Sequence, residues 1–157
     1  MKELKLISHV KQCQMEELPP DEQALISMAI EATGRSYAPY SHFRVGAAVE
    51  LSSGHRLMGC NQENAAFPSG LCAERAAIFA AGAQYPDQPV ISLAIAARGT
   101  DGELTEEPVS PCGTCRQVII ETETRFNRKV RILLYGKSKI FVIDGIKELM
   151  PLSFTEF

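Results

Sequence analysis

Apolar positions recur at helical spacing in three parts of the chain, and they predict its main helices. Residues 22–33 form one broad apolar face. Residues 72–81 are dense in strong helix formers and precede Gly82, where we expect the second helix to end. The third helix is expected to begin within residues 111–115, and a short fourth helix to cover residues 144–150.

Other stretches have the composition of β-strands, at residues 44–51, 55–61, 90–97, 130–135 and 139–143. The first two are separated by the turn Ser52-Ser-Gly54 and predict an antiparallel hairpin. Residues 90–97 form a continuous apolar run, which is expected of a strand buried on both faces. Residues 1–18 alternate weakly, and we favour a strand there although helical spacing fits as well.

Helices and strands that alternate along the chain, with buried strands of the parallel type, predict a three-layer α/β/α sandwich. At 157 residues the chain is long enough for one domain with its own core. We assign residues 21–157 to this domain and residues 1–20 to an N-terminal extension.

Composition and charge exclude several functional classes. The formal net charge is −3 and no run of Lys or Arg occurs, so we expect no nucleic-acid partner held by a basic face. The first ten residues carry charges among their apolar positions, and they predict neither a signal peptide nor a membrane span. We therefore expect a cytoplasmic protein without a membrane partner.

Three of the five cysteines, Cys72, Cys112 and Cys115, lie in two short motifs that suit a metal site. The stretch Leu71-Cys-Ala-Glu-Arg75 places a thiol two residues before a carboxylate. The stretch Ser110-Pro-Cys-Gly-Thr-Cys-Arg-Gln117 carries the paired cysteines. Soft thiolates favour zinc, and three of them leave a fourth position for a water that the metal can activate. Glu74 is then the expected proton carrier.

The paired cysteines taken alone have other interpretations, since Cys-x-x-Cys also occurs in redox sites and in structural zinc knuckles. In a catalytic site, three thiolates give the zinc centre a net negative charge, which makes bound water less acidic. We hypothesise that Arg75 and Arg116, each directly after a motif residue, donate to ligand sulfurs and offset this charge.

The two motifs resemble those of the zinc-dependent cytidine deaminases, in which [His/Cys]-Ala-Glu is followed downstream by Pro-Cys-x-x-Cys. Further segments resemble the small homotetrameric nucleoside deaminases: Tyr40-Ser-His-Phe-Arg-Val-Gly-Ala-Ala48, Asn61-Gln-Glu-Asn-Ala65, Cys115-Arg-Gln117 and Leu149-Met-Pro-Leu-Ser-Phe154. The resemblance covers about residues 22–154. It implies a sandwich built around a mixed five-stranded sheet.

The resemblance also implies a role for individual residues. Cys72, Cys112 and Cys115 would hold one zinc ion, and Glu74 would carry protons between water, ring N3 and the departing ammonia. Substrate contacts are implied for Phe43, Asn61, Glu63, Ala73 and Phe154.

Among these contacts, Asn61 and Glu63 would bind the ribose and Phe43 would pack on the pyrimidine ring. Phe154 would reach the pocket of a neighbouring subunit in a homotetramer. Many relatives have Tyr where this chain has Phe67, so a hydrogen bond made by that hydroxyl is absent here.

The activity that we predict is zinc-dependent hydrolytic deamination of cytidine and 2′-deoxycytidine, within pyrimidine salvage. Two alternatives stay open at this point. One is a deaminase of another free cytosine nucleoside, such as a blasticidin-type antibiotic, and the other is a non-catalytic, zinc-stabilised interaction module. A polynucleotide substrate fits less well, because the chain lacks added basic or aromatic segments.

Overall fold

The structure is a computed structural model and describes residues 1–155. In this range the helices and strands alternate as predicted. In chain order they are β1 Lys11–Cys13, α1 Pro20–Thr33, β2 Arg44–Leu51, β3 Arg56–Cys60, α2 Ala73–Gln84, β4 Val90–Arg98, α3 Gly113–Phe126, β5 Arg131–Tyr135 and β6 Ile140–Asp144. Among residues 1–155, no helix combines the length and the apolar character that crossing a membrane requires.

The strands join in one mixed sheet with the order β1-β6-β5-β4-β2-β3. Only β4 and β5 pair in parallel within the described chain, and the other neighbours are antiparallel. The sheet has six strands rather than the predicted five, because β1 of the N-terminal extension pairs with β6. The extension thereby covers a sheet edge whose N–H and C=O groups would otherwise be open to solvent.

Helices cover both faces of the sheet and confirm the three-layer arrangement. Successive residues of β2 point to opposite faces: Val49 packs in the core shared with α2 and α3, whereas Ala48 packs against α1. Gly46 lets α1 approach closely, since a Cβ at this position would lie 2.1 Å from the carbonyl oxygen of Ala29.

The central strand β4 is buried on both faces, as its continuous apolar run predicts. Leu93 and Ile95 pack in the core beneath α2 and α3, and Ala94 and Ala96 pack beneath α1. Each of these four side chains is at most 1% exposed. The strand that lies between α2 and the second cysteine motif in the chain is therefore a rigid part of the core.

Two helix boundaries differ from the prediction. α1 begins at Pro20 rather than at residue 22, because proline is tolerated at the first helical position, where its missing N–H has no partner to lose. α2 passes through Gly82 and ends at Gln84. A single glycine costs a helix only about 1 kcal/mol, whereas Pro86 disfavours helical backbone at Tyr85, the residue before it.

Two further segments contain less regular structure than predicted. The strand favoured for residues 1–18 is limited to Lys11–Cys13, and residues 1–10 belong to no helix or strand. The helix expected over residues 144–150 is a single 3-10 turn, Ile146–Glu148. Residues 1–10 are all exposed, so they bury no apolar face that would stabilise a regular element. Residues 144–150 span only about two helical turns, which is too short for a helix to be stable on its own.

Candidate active site and metal centre

The three cysteines predicted as metal ligands lie together where two helices begin. Cys72 occupies the N-cap of α2 and Cys112 that of α3, while Cys115 lies in the first turn of α3. Their sulfurs all lie within 4.8 Å of one another, and Sγ of Cys72 is 3.9 Å from Sγ of Cys112. Zinc–sulfur bonds of about 2.3 Å at tetrahedral angles place two sulfurs about 3.8 Å apart. The spacing therefore fits zinc.

Interactions with Cys115 and Arg75 favour the thiolate form of Cys72. A hydrogen bond from the Cys115 thiol, and then one from Arg75, lowers the pKa of Cys72 to about 5 against the opposing effect of burial. The same sulfur–sulfur hydrogen bond, together with burial, raises the pKa of Cys115 above its usual range. A thiolate at the start of α2 is the form that binds a metal ion.

Glu74 lies in the first turn of α2, two residues after Cys72, and its side chain is buried at 5% exposure. Burial raises the pKa of Glu74, and the negative charge of Cys72 acts in the same direction. Glu74 and Arg75 both line the pocket into which Cys72 and Cys112 open. A carboxyl group with a raised pKa beside a metal site can both accept and donate a proton.

The two arginines that follow the motifs make different contacts. Nη2 of Arg75 lies 3.5 Å from Sγ of Cys72, which agrees with a donor to a ligand sulfur. Arg116 instead donates to three oxygens: the carbonyls of Pro111 at 2.9 Å and Leu149 at 2.7 Å, and Oγ of Ser110 at 3.0 Å. We hypothesised that Arg116 donates to a ligand sulfur, whereas its observed hydrogen bonds connect the start of α3 with the C-terminal segment.

A pocket of about 730 Å³ lies in front of the cysteine cluster. Of the residues predicted to contact substrate, it is lined by Phe43, Asn61, Glu63 and Ala73. Tyr40, Phe67 and Leu71 contribute further apolar wall. The two cysteine motifs and the loops that precede and follow the β2–β3 hairpin thus surround one cavity. Its lining residues extend from Tyr40 to Cys112 in the sequence.

The carboxamide of Asn61 binds the backbone at the start of β2. Its Oδ1 accepts a hydrogen bond from the backbone N–H of Val45 at 2.8 Å, and its Nδ2 donates to the carbonyl oxygen of Phe43 at 3.0 Å. Asn61 therefore fixes the position of Phe43 at the pocket wall. One N–H of the carboxamide is left for a ligand, because the group carries two donors.

The carboxylate of Glu63 is held by the loop that precedes β2. Its Oε2 accepts hydrogen bonds from the backbone N–H groups of Tyr40 at 2.9 Å and Ser41 at 3.2 Å, and its Oε1 accepts one from the Ser41 hydroxyl. These contacts lower the pKa of Glu63, with the Ser41 hydroxyl as the largest cause. Sequence analysis did not single out Ser41, and its position in an aromatic, turn-rich loop is the signal that was available.

Besides Phe43, the resemblance concerns two further aromatic residues, Phe67 and Phe154, and of these two only Phe67 lines the pocket. Phe67 is 74% exposed, lines the pocket mouth and makes an edge-to-face contact with Tyr40, with ring centroids 5.8 Å apart. Phe154 is outside the residues that line this pocket, and its carbonyl oxygen accepts a hydrogen bond from Nε2 of Gln117 at 2.8 Å. Within one chain, Phe154 is thus anchored near α3 and does not contact the cavity.

Comparison with known proteins decides the family. The family model described as the cytidine and deoxycytidylate deaminase zinc-binding region matches residues 19–130, which include Cys72, Glu74, Cys112 and Cys115. The chain belongs to this family. The cytidine deaminase of Halalkalibacterium halodurans is 43% identical over 101 residues, which cover 64% of this chain and 71% of the relative. That of Sporosarcina psychrophila is 45% identical over 101 residues, covering 64% and 69%.

Solved structures of cytidine deaminases share the fold of this family member. The crystal structure from Burkholderia pseudomallei has a TM-score of 0.72 at 36% identity, covering 83% of this chain and 97% of that one. The structure from Mycobacterium tuberculosis has a TM-score of 0.66 at 29% identity, covering 87% and 98%. The match to a zinc-binding region agrees with the sulfur cluster, which is the one group of potential metal ligands among residues 1–155.

Proposed function

We propose that this deaminase hydrolyses cytidine and 2′-deoxycytidine to uridine and 2′-deoxyuridine, with release of ammonia. The observation that carries the proposal is the placement of a buried glutamate, Glu74, beside three cysteine sulfurs at a pocket of about 730 Å³. The chain's membership of the cytidine and deoxycytidylate deaminase family supports the same reaction. Deamination of free pyrimidine nucleosides fits a role in pyrimidine salvage.

In this mechanism Cys72, Cys112 and Cys115 hold one zinc ion per chain. When bound, zinc supplies a Lewis acid that makes a water molecule nucleophilic at neutral pH. Glu74 accepts one proton of the attacking water and donates it to ring N3 as the oxygen adds to C4. It then carries the second proton, from the hydroxyl at C4, to the amine, which leaves as ammonia as the C–N bond breaks and the C=O bond forms. The raised pKa of Glu74 supports this role, because a group that shuttles protons works best when its pKa is near the pH of the reaction.

Arg75 adjusts the charge of the site. Three thiolates carry more negative charge than a divalent ion neutralises, and this excess weakens the activation of water. The guanidinium of Arg75, 3.5 Å from Sγ of Cys72, withdraws part of that charge. We assign Arg116 to the support of the ligand-bearing turn, through its hydrogen bonds to Pro111, Ser110 and Leu149.

The remaining pocket residues bind the nucleoside. Phe43 packs on the pyrimidine ring, Ala73 contacts the base through its buried backbone, and Asn61 and Glu63 bind sugar hydroxyls. Hydrogen-bonding groups that are placed to bind a hydroxyl discriminate strongly against analogues that lack it. The lining of one pocket by all four residues supports their binding of the same ligand.

We further propose a homotetramer in which Phe154 completes the pocket of a neighbouring subunit. The side chain of Phe154 is 64% exposed in the single chain, and Leu152 beside it is 77% exposed. Phe154 lies outside the pocket of its own chain, which fits a contact with another copy. The mass in solution tests this assembly, and a fully active monomer would exclude it.

The substrate assignment is tested with purified, zinc-loaded protein and a panel of cytosine compounds. Cytidine, 2′-deoxycytidine, cytosine, blasticidin S and a cytosine-containing oligonucleotide are incubated separately, and ultraviolet absorbance and ammonia are followed. We expect turnover of the two nucleosides and about one zinc per chain. Turnover of the antibiotic alone would identify a different nucleoside deaminase, and turnover of none, with zinc present, would leave a zinc-stabilised interaction module.

A further inference from the structure

Most of the hydrogen-bond acceptor positions of the Glu63 carboxylate are filled by donors from one short loop, that of Tyr40 and Ser41. A carboxylate offers about four acceptor positions. Three are filled by the Tyr40 and Ser41 backbone N–H groups and by the Ser41 hydroxyl. One acceptor position is left, on a residue that lines the pocket. Glu63 can therefore bind one donor of a ligand without exchanging any of its protein contacts.

Ser41 connects this carboxylate to the pocket wall. Its Oγ donates to Oε1 of Glu63 and accepts a hydrogen bond from the backbone N–H of Phe43 at 3.1 Å. The backbone between them turns at His42, which has a φ of 56° in the left-handed region. The Ser41 hydroxyl thus connects Glu63, which we assign to the sugar, with Phe43, which we assign to the base.

The contacts of Ser41 also keep Glu63 charged. Hydrogen bonds to the ionised form of a carboxyl group lower its pKa, and for Glu63 the Ser41 hydroxyl is the largest such cause. An ionised carboxylate is a stronger acceptor than a neutral one. Its rotamer is fixed at the same time, because Oε1 and Oε2 have different donors.

We propose that Ser41 is a positioning residue that sets the specificity of this enzyme for the sugar of its substrate. Its hydroxyl orients the Glu63 carboxylate so that the remaining acceptor position meets a ribose hydroxyl. The inference rests on the proposed nucleoside deamination. Ser41 is exposed, so its role does not come from packing in the core.

The test compares wild type with Ser41→Ala and Ser41→Thr, using cytidine and its 2′-, 3′- and 5′-deoxy analogues. Ser41→Ala removes the hydroxyl but leaves both backbone donors to Glu63 in place. We expect KM for cytidine to rise about tenfold with little change in kcat, because binding of the sugar is shared by ground state and transition state. Ser41→Thr retains a hydroxyl and should restore KM.

The analogue series separates a positioning role from a purely structural one. For the analogue that lacks the hydroxyl bound by Glu63, wild type and Ser41→Ala should have the same KM. In a Glu63→Gln background, Ser41→Ala should add no further loss. Ser53→Ala is the matched control, because Ser53 is an exposed serine in the β2–β3 turn whose Oγ forms a hydrogen bond with Nδ1 of His55, outside the pocket.

Two results would overturn the inference. Equal losses for cytidine and all three analogues would show that Ser41 supports the loop and not the binding of a sugar hydroxyl, and no loss for any of them would show that the hydroxyl is dispensable. Failure of the proposed function has a different signature. Wild-type protein with full zinc that deaminates neither cytidine nor 2′-deoxycytidine would remove that function, and this inference with it.

Discussion

Gly59 of β3 lies directly against Ala73, the first residue of α2. A Cβ at Gly59 would be 2.5 Å from the carbonyl oxygen of Ala73 and 2.5 Å from the backbone nitrogen of Ala77. Because these are backbone atoms, Gly59→Ala must displace the helix start that carries Cys72 and Glu74. We expect a loss of unfolding free energy of about 1–3 kcal/mol and a fall in kcat, measured by urea denaturation and by cytidine turnover.

The matched control for this substitution is Gly82→Ala. Gly82 lies within α2, and a Cβ there would have no neighbour within 4 Å. Alanine is the better helix former, so we expect a gain of about 0.5–1 kcal/mol with unchanged kcat. Equal effects of the two substitutions would show that close packing at Gly59 does not position the site.

Glu74→Gln keeps the shape of a buried side chain and removes its ability to carry a proton. We expect kcat for cytidine to fall by roughly a hundredfold to ten-thousandfold, the range measured for loss of a general acid–base. Zinc content and the circular dichroism spectrum should match those of wild type. Retained turnover would exclude Glu74 as the proton carrier. The exposed Glu121 of α3 provides the control, since Glu121→Gln should leave kcat unchanged.

Arg75 and Arg116 should have separable effects, because one contacts sulfur and the other contacts oxygens. Arg75→Ala removes the donor to Cys72, and we expect kcat to fall about tenfold or more, with the pH profile of kcat moved to higher pH.

Arg116→Ala removes three hydrogen bonds from a charged donor, and we expect a loss of stability of about 2–4 kcal/mol. The pH profile of the folded enzyme should stay the same. A moved pH profile in Arg116→Ala at unchanged Tm would instead support charge compensation by both arginines.

The ion pairs of Asp144 with Lys11 and Arg131 should make the unfolding free energy of the protein depend on pH. Hydrogen bonds from Lys11, the largest cause, and from Arg131 lower the pKa of Asp144. The unfolded chain has a pKa of about 3.9 at this group. The stabilisation is therefore fully present above that pH and is lost as the pH falls through the lower folded-state value.

We expect Asp144→Asn to lower the unfolding free energy by less than about 1 kcal/mol at pH 7, because the side chain is 47% exposed. The difference from wild type should shrink below about pH 3. Urea denaturation at both pH values measures it. The same loss at both pH values would show that the carboxylate charge is not responsible.

Local sequence patterns were sufficient to predict several elements of the fold and two of the candidate metal ligands. The Ser52-Ser-Gly54 turn placed the β2–β3 hairpin, and the apolar run after Pro89 placed the buried strand β4. The spacing of Cys112 and Cys115 indicated two ligands on one helical turn, and the structure brings Cys72 to the same point. Neighbouring residues determine the turn, the strand and the spacing of the cysteine pair, so a short window of sequence contains that information, whereas the approach of Cys72, 40 residues from Cys112, depends on the fold.

Features that depend on distant parts of the chain were not predictable in this way. The hydroxyl of Ser41 binds a carboxylate 22 residues away, and Arg116 binds the carbonyl of Leu149, 33 residues away. Which acceptor a guanidinium finds depends on the packing of several elements. A strand was favoured within residues 1–18, but its pairing as a sixth strand of the sheet was not predicted, because a weakly alternating segment joins a sheet only where an open edge such as that of β6 is available.

The positions of the three cysteines also affect how the chain unfolds. Cys72 and Cys112 are 40 residues apart and enclose β4, yet their sulfurs lie 3.9 Å from each other. An ion held between them closes a loop in the manner of a disulfide, and closure of such a loop reduces the conformational entropy of the unfolded chain while the ion stays bound. A zinc ion bound there would also be a removable cross-link, and the heat resistance of the enzyme should then depend on the supply of zinc.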